Sequence, residues 1–329
     1  MKPSCKLTQV FLSLFALALM SVAAMAADPG QPYPATSEVS DQKAGSVLIY
    51  NIYTSSAAGG NAQNARINIT NTSTTSLAFV HLFFVAEGCG VADSFICLTP
   101  AQTASFLTSD VDPGITGYIV AIASDINGCP TQFNFLIGDE YVKFATGHVA
   151  NLGAEAFAKV SPGALTCAAD ASEALVVFNG TDYNRAPRVL AVSNIMSNLD
   201  GNSTRIIVNR VGGWLSTGAA TTGTLFGLLY DDAESPYSFA IGGGCQVNQL
   251  LTATFPRVTG TFNGVIGQGR SGWMKLYNNS SDVGILGASI NFNANAGSQP
   301  GAFNGGHNMH KLTLSSTNTY TIPIFPPTC

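Results

Sequence analysis

The stretch Gly306-His307-Asn308-Met309-His310 carries the most concentrated chemistry in the chain. Two imidazoles three residues apart share one face of a helix and can then bind a divalent metal ion. An alternating strand sends them to opposite faces. The acidic counterparts are Asp110-Val111-Asp112-Pro113-Gly114 and Asp231-Asp232-Ala233-Glu234. Calcium takes six to eight oxygen ligands, and neither stretch has the spacing of an EF-hand loop. Asp-Pro-Gly is also ordinary turn chemistry. Asp231, Asp232 and Glu234 are therefore the calcium candidates, His307 and His310 the transition-metal candidates, and no other cofactor is expected.

Catalytic signatures are sparse. No Gly-x-Ser-x-Gly elbow occurs, and Ile241-Gly-Gly-Gly-Cys245 lies between strand-like runs rather than before a helix, so it does not read as a phosphate loop. The carboxylates show no spacing that singles out a glycosidase pair. The expectation is a protein that is not an enzyme. His81 sits inside LAFVHLFFV and reads as a core residue. Trp214, beside Gly212-Gly213, is the better candidate for an exposed sugar contact than Trp273. Asn68, Asn71, Asn179, Asn202, Asn278 and Asn279 each open an N-x-Ser/Thr sequon, as a Thr- and Asn-rich strand protein will by chance.

The elements that position these residues read as strands. VLIYNIY, ARINIT, LAFVHLFFV, TGYIVAIAS and QFNFLIG are short runs rich in Val, Ile, Phe and Tyr, bounded by Gly, Asn, Asp, Ser or Pro. No window holds three helical turns. Only 10% of residues are charged and the net charge is −5, with no basic cluster. Nucleic acid and anionic membrane surfaces are thereby poor partners.

An internal echo organises the chain. AGSVLIYNIYTSS at 44–56 resembles APRVLAVSNIMSN at 186–198. Further matches follow in the same order: Arg66-Ile-Asn-Ile with Arg205-Ile-Ile-Val, Gly117-Tyr-Ile-Val with Gly272-Trp-Met-Lys, and a Gly-His pair at 147–148 and 306–307. The offset drifts from about 140 to about 160, as loop insertions require. This pattern implies a tandem duplication. It places Trp273 opposite Tyr118 in the core and gives His148 and His307 a turn or hydrogen-bonding role.

Cys5 precedes an apolar run ending in Ala24-Met25-Ala26, the pattern of a cleaved secretory signal peptide. The six remaining cysteines, Cys89, Cys97, Cys129, Cys167, Cys245 and Cys329, read as disulfides in an exported chain. Duplication favours Cys97–Cys167, Cys245–Cys329 and Cys89–Cys129, with a local Cys89–Cys97 bridge as the competitor.

The expected organisation is a signal peptide over 1–26, a Pro-containing linker over 27–43, and two tandem immunoglobulin-like β-sandwich domains over 44–170 and 171–329. An outer-membrane barrel is the rival fold, disfavoured because LAFVHLFFV is apolar on both faces. The expected function is that of a secreted or cell-surface structural or adhesion-type protein. The alternative is an extracellular glycan- or ligand-binding module, and a secreted hydrolase ranks third. The expected partners are another copy of the chain or a cell-surface glycan. No integral membrane segment is expected after signal cleavage.

Overall fold

The computed structural model describes residues 31–32, 38–56, 62–161, 167, 171–251, 262–299 and 302–329. The expected signal peptide lies outside these residues. Among them the first half of the chain forms β1 (Gln31–Pro32), β2 (Val39–Ser40), β3 (Val47–Thr54), β4 (Asn64–Asn71), β5 (Ala78–Ala86), β6 (Val91–Leu98), β7 (Thr103–Leu107), β8 (Thr116–Ser124), β9 (Leu136–Lys143), β10 (Val149–Gly153) and β11 (Glu155–Phe157). The second forms β12 (Glu173–Phe178), β13 (Pro187–Met196), β14 (Asn202–Val211), β15 (Gly213–Trp214), β16 (Gly218–Ala219), β17 (Gly223–Tyr230), β18 (Pro236–Gly243), β19 (Gln246–Leu250), β20 (Ser271–Asn278), β21 (Gly284–Asn293), β22 (Gly305–Asn308), β23 (His310–Leu314) and β24 (Asn318–Pro323).

These strands make five sheets. Sheet I runs β2-β11-β3-β8-β5-β6 and sheet II runs β10-β9-β4-β7. Sheet III runs β1-β23-β13-β20-β17-β18, sheet IV runs β19-β14-β21-β22, and sheet V runs β12-β24-β15-β16. The described residues are 57% strand and 4% helix, and their five sheets match a five-bladed β-propeller in number and strand content. This overturns the expectation of two tandem immunoglobulin-like sandwiches. Sheet V lies outside any two-by-two scheme and contains a parallel pair, β15 with β24. Consecutive β10 and β11, the last strands of the first half, fall in different sheets, whereas the last two strands of an immunoglobulin domain pair with each other. Connectivity also departs from a meandering propeller blade, because each large sheet draws strands from distant parts of the chain.

The strand order nevertheless repeats. The run β11-β3-β8-β5-β6 in sheet I has the same order as β23-β13-β20-β17-β18 in sheet III, and sheet II corresponds to sheet IV in the same way. The register irregularity repeats too: the β3/β8 ladder slips between Tyr50 and Tyr53, and the β13/β20 ladder slips between Val192 and Ile195. Gly117 and Gly272 stand beside these bulges. A Cβ on either would collide with a neighbouring carbonyl, that of Val85 or that of Tyr230.

The halves share their interior. One core lies between sheets I and II and includes Ile207, Ala288 and Ile290 from sheet IV. A second, built from Val47, Phe83, Val120, Phe157, Val176, Phe178 and Tyr320 among others, fills the space between sheets I and V. A third lies between sheets III and IV. Sheet I is thus buried on both faces, which is why β3 and β8 are apolar without alternation. Disulfides join Cys89 to Cys245, Cys97 to Cys329 and Cys129 to Cys167. All three expected pairings and the competing Cys89–Cys97 bridge are corrected. Two bridges cross between the halves, because Cys89 and Cys97 lie where the second half packs, not where the first half closes on itself. The segment expected to be a linker contributes β1 to the β23 edge and β2 to the β11 edge. No helix among the described residues is long and apolar enough to cross a membrane.

Candidate functional site

A polar cleft of about 500 Å³ lies where β13, β14, β20 and β21 end or begin. Its walls include Asn194, Asp200, Asn202, Arg270, Asn293 and Gln299. A short 3₁₀ turn, Asn198–Asp200, shapes one side. The Ser197 hydroxyl accepts from Leu199 N at its start, and Gly201 in the left-handed region closes it. The floor is a ladder of asparagines. Asn202 Oδ1 accepts from Asn291 Nδ2 and Asn293 Nδ2, each at 3.1 Å, and Asn293 Nδ2 also donates to the Asp200 carbonyl at 3.1 Å. These bonds fix the amides before any ligand arrives.

The charges around the cleft are committed. Asp200 Oδ2 accepts from Gly269 N at 2.8 Å, and Arg270 Nε donates to Asp232 Oδ2 at 2.8 Å. The Arg270 hydrogen bond holds the Asp232 carboxyl below its ordinary range, and the same contact raises Arg270. Among the described residues, the Asn194 and Gln299 side chains have no hydrogen-bond partner within the protein, so their donors and acceptors face solvent.

Aromatic rings continue from this cleft along β20. Ser271 lines the cleft, and Trp273, Lys275 and Tyr277 follow on the same face at every second residue. The Trp273 ring stacks on Tyr230 with centroids 4.4 Å apart, and Tyr277 packs against Phe226 at 5.5 Å. Phe303 is 66% exposed beside the lining residue Ala302, its carbonyl held by Asn291 Nδ2 at 2.8 Å.

The calcium candidates serve a turn. Asp231 Oδ1 accepts from Ala233 N at 2.9 Å and Ser235 N at 2.8 Å, closing the β17–β18 hairpin, and Glu234 takes φ 65° within it. Asp232 is paired with Arg270. Among the described residues no group of three His, Cys, Asp or Glu side chains is arranged to hold a metal ion. Asp112 accepts from the Tyr53 hydroxyl at 2.5 Å.

His81 is fully buried and pairs with Asp93 at 2.9 Å, and burial lowers its pKa. His148 links the halves. Its Nε2 donates to the Ser203 carbonyl at 2.8 Å while Nδ1 meets the Thr146 hydroxyl at 2.9 Å. Trp214 is 48% exposed and donates from Nε1 to Glu173 at 2.7 Å. Trp273 is half-buried rather than a core residue like Tyr118. Alternation fails for His307 and His310, whose ring centroids lie only 5.9 Å apart.

A polar seam runs between the halves. Asn209 Nδ2 donates to the Asn51 carbonyl at 2.8 Å, Gln246 Nε2 to Asn209 Oδ1 at 2.7 Å, and Asn51 Nδ2 to Asn308 Oδ1 at 2.8 Å. Glu140 accepts from Ile52 N within it, and burial raises its pKa well above the ordinary range. Glu155 is fully buried beside Lys311 at 2.7 Å, and burial pushes its carboxyl up to about 7.

The cleft residues escape sequence reading because asparagine and glutamine carry no motif. The only signal is their density in NFNANAGSQ at 291–299. The sequons are largely structural: Asn71, Asn202 and Asn278 are buried, whereas Asn279 is exposed. Comparison with known proteins found no matching family model, no matching curated protein and no matching solved structure.

Proposed function

We propose that this is a non-catalytic adhesion-type protein of the cell exterior that binds a neutral glycan at the cleft between β13, β14, β20 and β21. The observation that carries this reading is a preorganised amide-lined cleft continued by an aromatic row on one strand. Sugars present hydroxyls in a plane and apolar C–H faces. Fixed amides match the hydroxyls, and flat rings cover the faces. Asn194 and Gln299 supply free hydrogen-bonding groups, and Trp273 supplies the stacking surface. The engaged state of Asp200 and Arg270 supports a binding role over proton transfer. Three disulfides support an oxidising compartment, as an exported protein meets.

The test is tryptophan fluorescence during titration with soluble oligosaccharides of glucose, xylose, mannose and N-acetylglucosamine. Binding of at least one series is expected, weakened about tenfold or more by Trp273→Ala and by Gln299→Ala, with unchanged circular dichroism. Failure of every series, or binding indifferent to both substitutions, sinks the proposal.

A further inference from the structure

We infer that His307 and His310 form a surface site for a divalent transition-metal ion, of which Cu²⁺ and Ni²⁺ are the best fits. The chain leaves sheet IV at Asn308 and enters sheet III at His310, so Met309 occupies a corner between two sheets. Met309 is buried in the core and donates from N to the Gly287 carbonyl at 2.8 Å. The corner breaks strand alternation and turns both imidazoles to one side.

Asn308 fixes that corner from the other direction. Its Nδ2 donates to Asp41 Oδ2 at 2.9 Å and to the Gly153 carbonyl at 2.8 Å, while its Oδ1 accepts from Asn51. The segment between the two histidines is therefore held by both halves of the molecule. Both histidines are exposed, with ring centroids 5.9 Å apart and planes at 41°. Metal–nitrogen bonds of about 2.0–2.1 Å leave the centroids of two rings on one ion roughly 5–6 Å apart.

The tautomer is also set. His307 Nδ1 lies 3.0 Å from the Asn308 carbonyl, which can only accept, so Nδ1 carries the proton and Nε2 keeps its lone pair. Metal-binding histidines are oriented in this way, with the second ring nitrogen donating to a carbonyl. The His310 ring has no hydrogen-bond partner among the described residues, while its backbone pairs with β13. The chain's other two histidines, His81 and His148, are buried and already bonded. Because no third His, Cys, Asp or Glu joins the pair among the described residues, water completes the coordination. Two imidazoles favour copper and nickel over oxygen-seeking calcium or magnesium.

The test is calorimetric titration of the untagged protein with CuCl₂ and NiCl₂. One saturable site per chain is expected, with affinity reduced about tenfold or more in His307→Ala and in His310→Ala and abolished in the double variant. Excess Ca²⁺ is expected to leave it unchanged. Electron paramagnetic resonance of the copper form should show two nitrogen ligands. Circular dichroism confirms that these surface variants fold. Absence of a saturable site, or a site that persists in the double variant, overturns the inference, and glycan titration of the same variants leaves the cleft proposal independent of it.

Discussion

Val120 and Lys275 stand at the same register in sheets I and III, opposite Ile49 and Ala191 on the neighbouring strand. Their surroundings are opposite. Val120 is fully buried because sheet V covers the outer face of sheet I, and its neighbours Tyr118 and Ile122 share that burial. Lys275 lies half-buried on the outer face of sheet III between Trp273 and Tyr277, where no further sheet of the described residues packs. One strand order thus does two jobs. In the first half it is an inner wall of the molecule, and in the second it presents a surface. The repeated unit therefore specifies pairing, while what covers its outer face specifies role.

Exchanging the two side chains tests this most strongly. Val120→Lys places an unpaired ammonium between sheets I and V and is expected to cost over about 4 kcal/mol or to prevent folding. Lys275→Val is expected to cost far less than this, because it replaces a half-buried side chain and buries no unpaired charge. Urea unfolding of both variants checks this, and equal costs would show that the outer face of sheet III is covered as well.

Glu155 and His310 provide the next contrast, because they pair with Ile49 and Ala191, the same two partners. The first half buries a carboxyl there and the second exposes an imidazole. The Glu155 carboxyl is raised from an ordinary 4.5 to about 7. A group with a raised folded pKa adds stability that is complete below its unfolded value and disappears as pH rises through its folded value. Stability should therefore fall by about 3 kcal/mol between pH 4.5 and pH 7 on account of this residue. Thermal melts of Glu155→Gln across that range should lack this component. A variant with the wild-type pH dependence would show that the carboxyl ionises without penalty.

The smallest effect tests what the halves share. Gly117→Ala and Gly272→Ala each drive a methyl group into a backbone carbonyl beside an equivalent bulge. Each is expected to cost about 1–3 kcal/mol, by similar amounts. Denaturation midpoints that differ widely would mean that the two bulges are not equivalent.

These contrasts show what sequence could reveal. The stretches at 44–56 and 186–198 carry the two bulged strands, and their likeness was visible because a bulge constrains residue types locally. The apolarity of LAFVHLFFV on both faces also signals burial on both sides of its sheet. The covering sheet remained hidden. ALVVFN at 174–179 looks like any opening strand, and nothing local says that β12 pairs with β24. Cysteine pairing failed for a related reason: reasoning from equivalent positions assumes that each copy closes on itself, whereas Cys89 and Cys97 reach into the other half. The cleft was invisible because its asparagines act through the ladder that the fold assembles, and not through spacing.

The two crossing disulfides have a mechanical meaning. A force that pulls the halves apart must first strip β1 from β23 and open the asparagine seam, but it then meets Cys89–Cys245 and Cys97–Cys329. Tension beyond that point runs through covalent bonds, so the oxidised molecule transmits load as a single link, and the reduced one unzips.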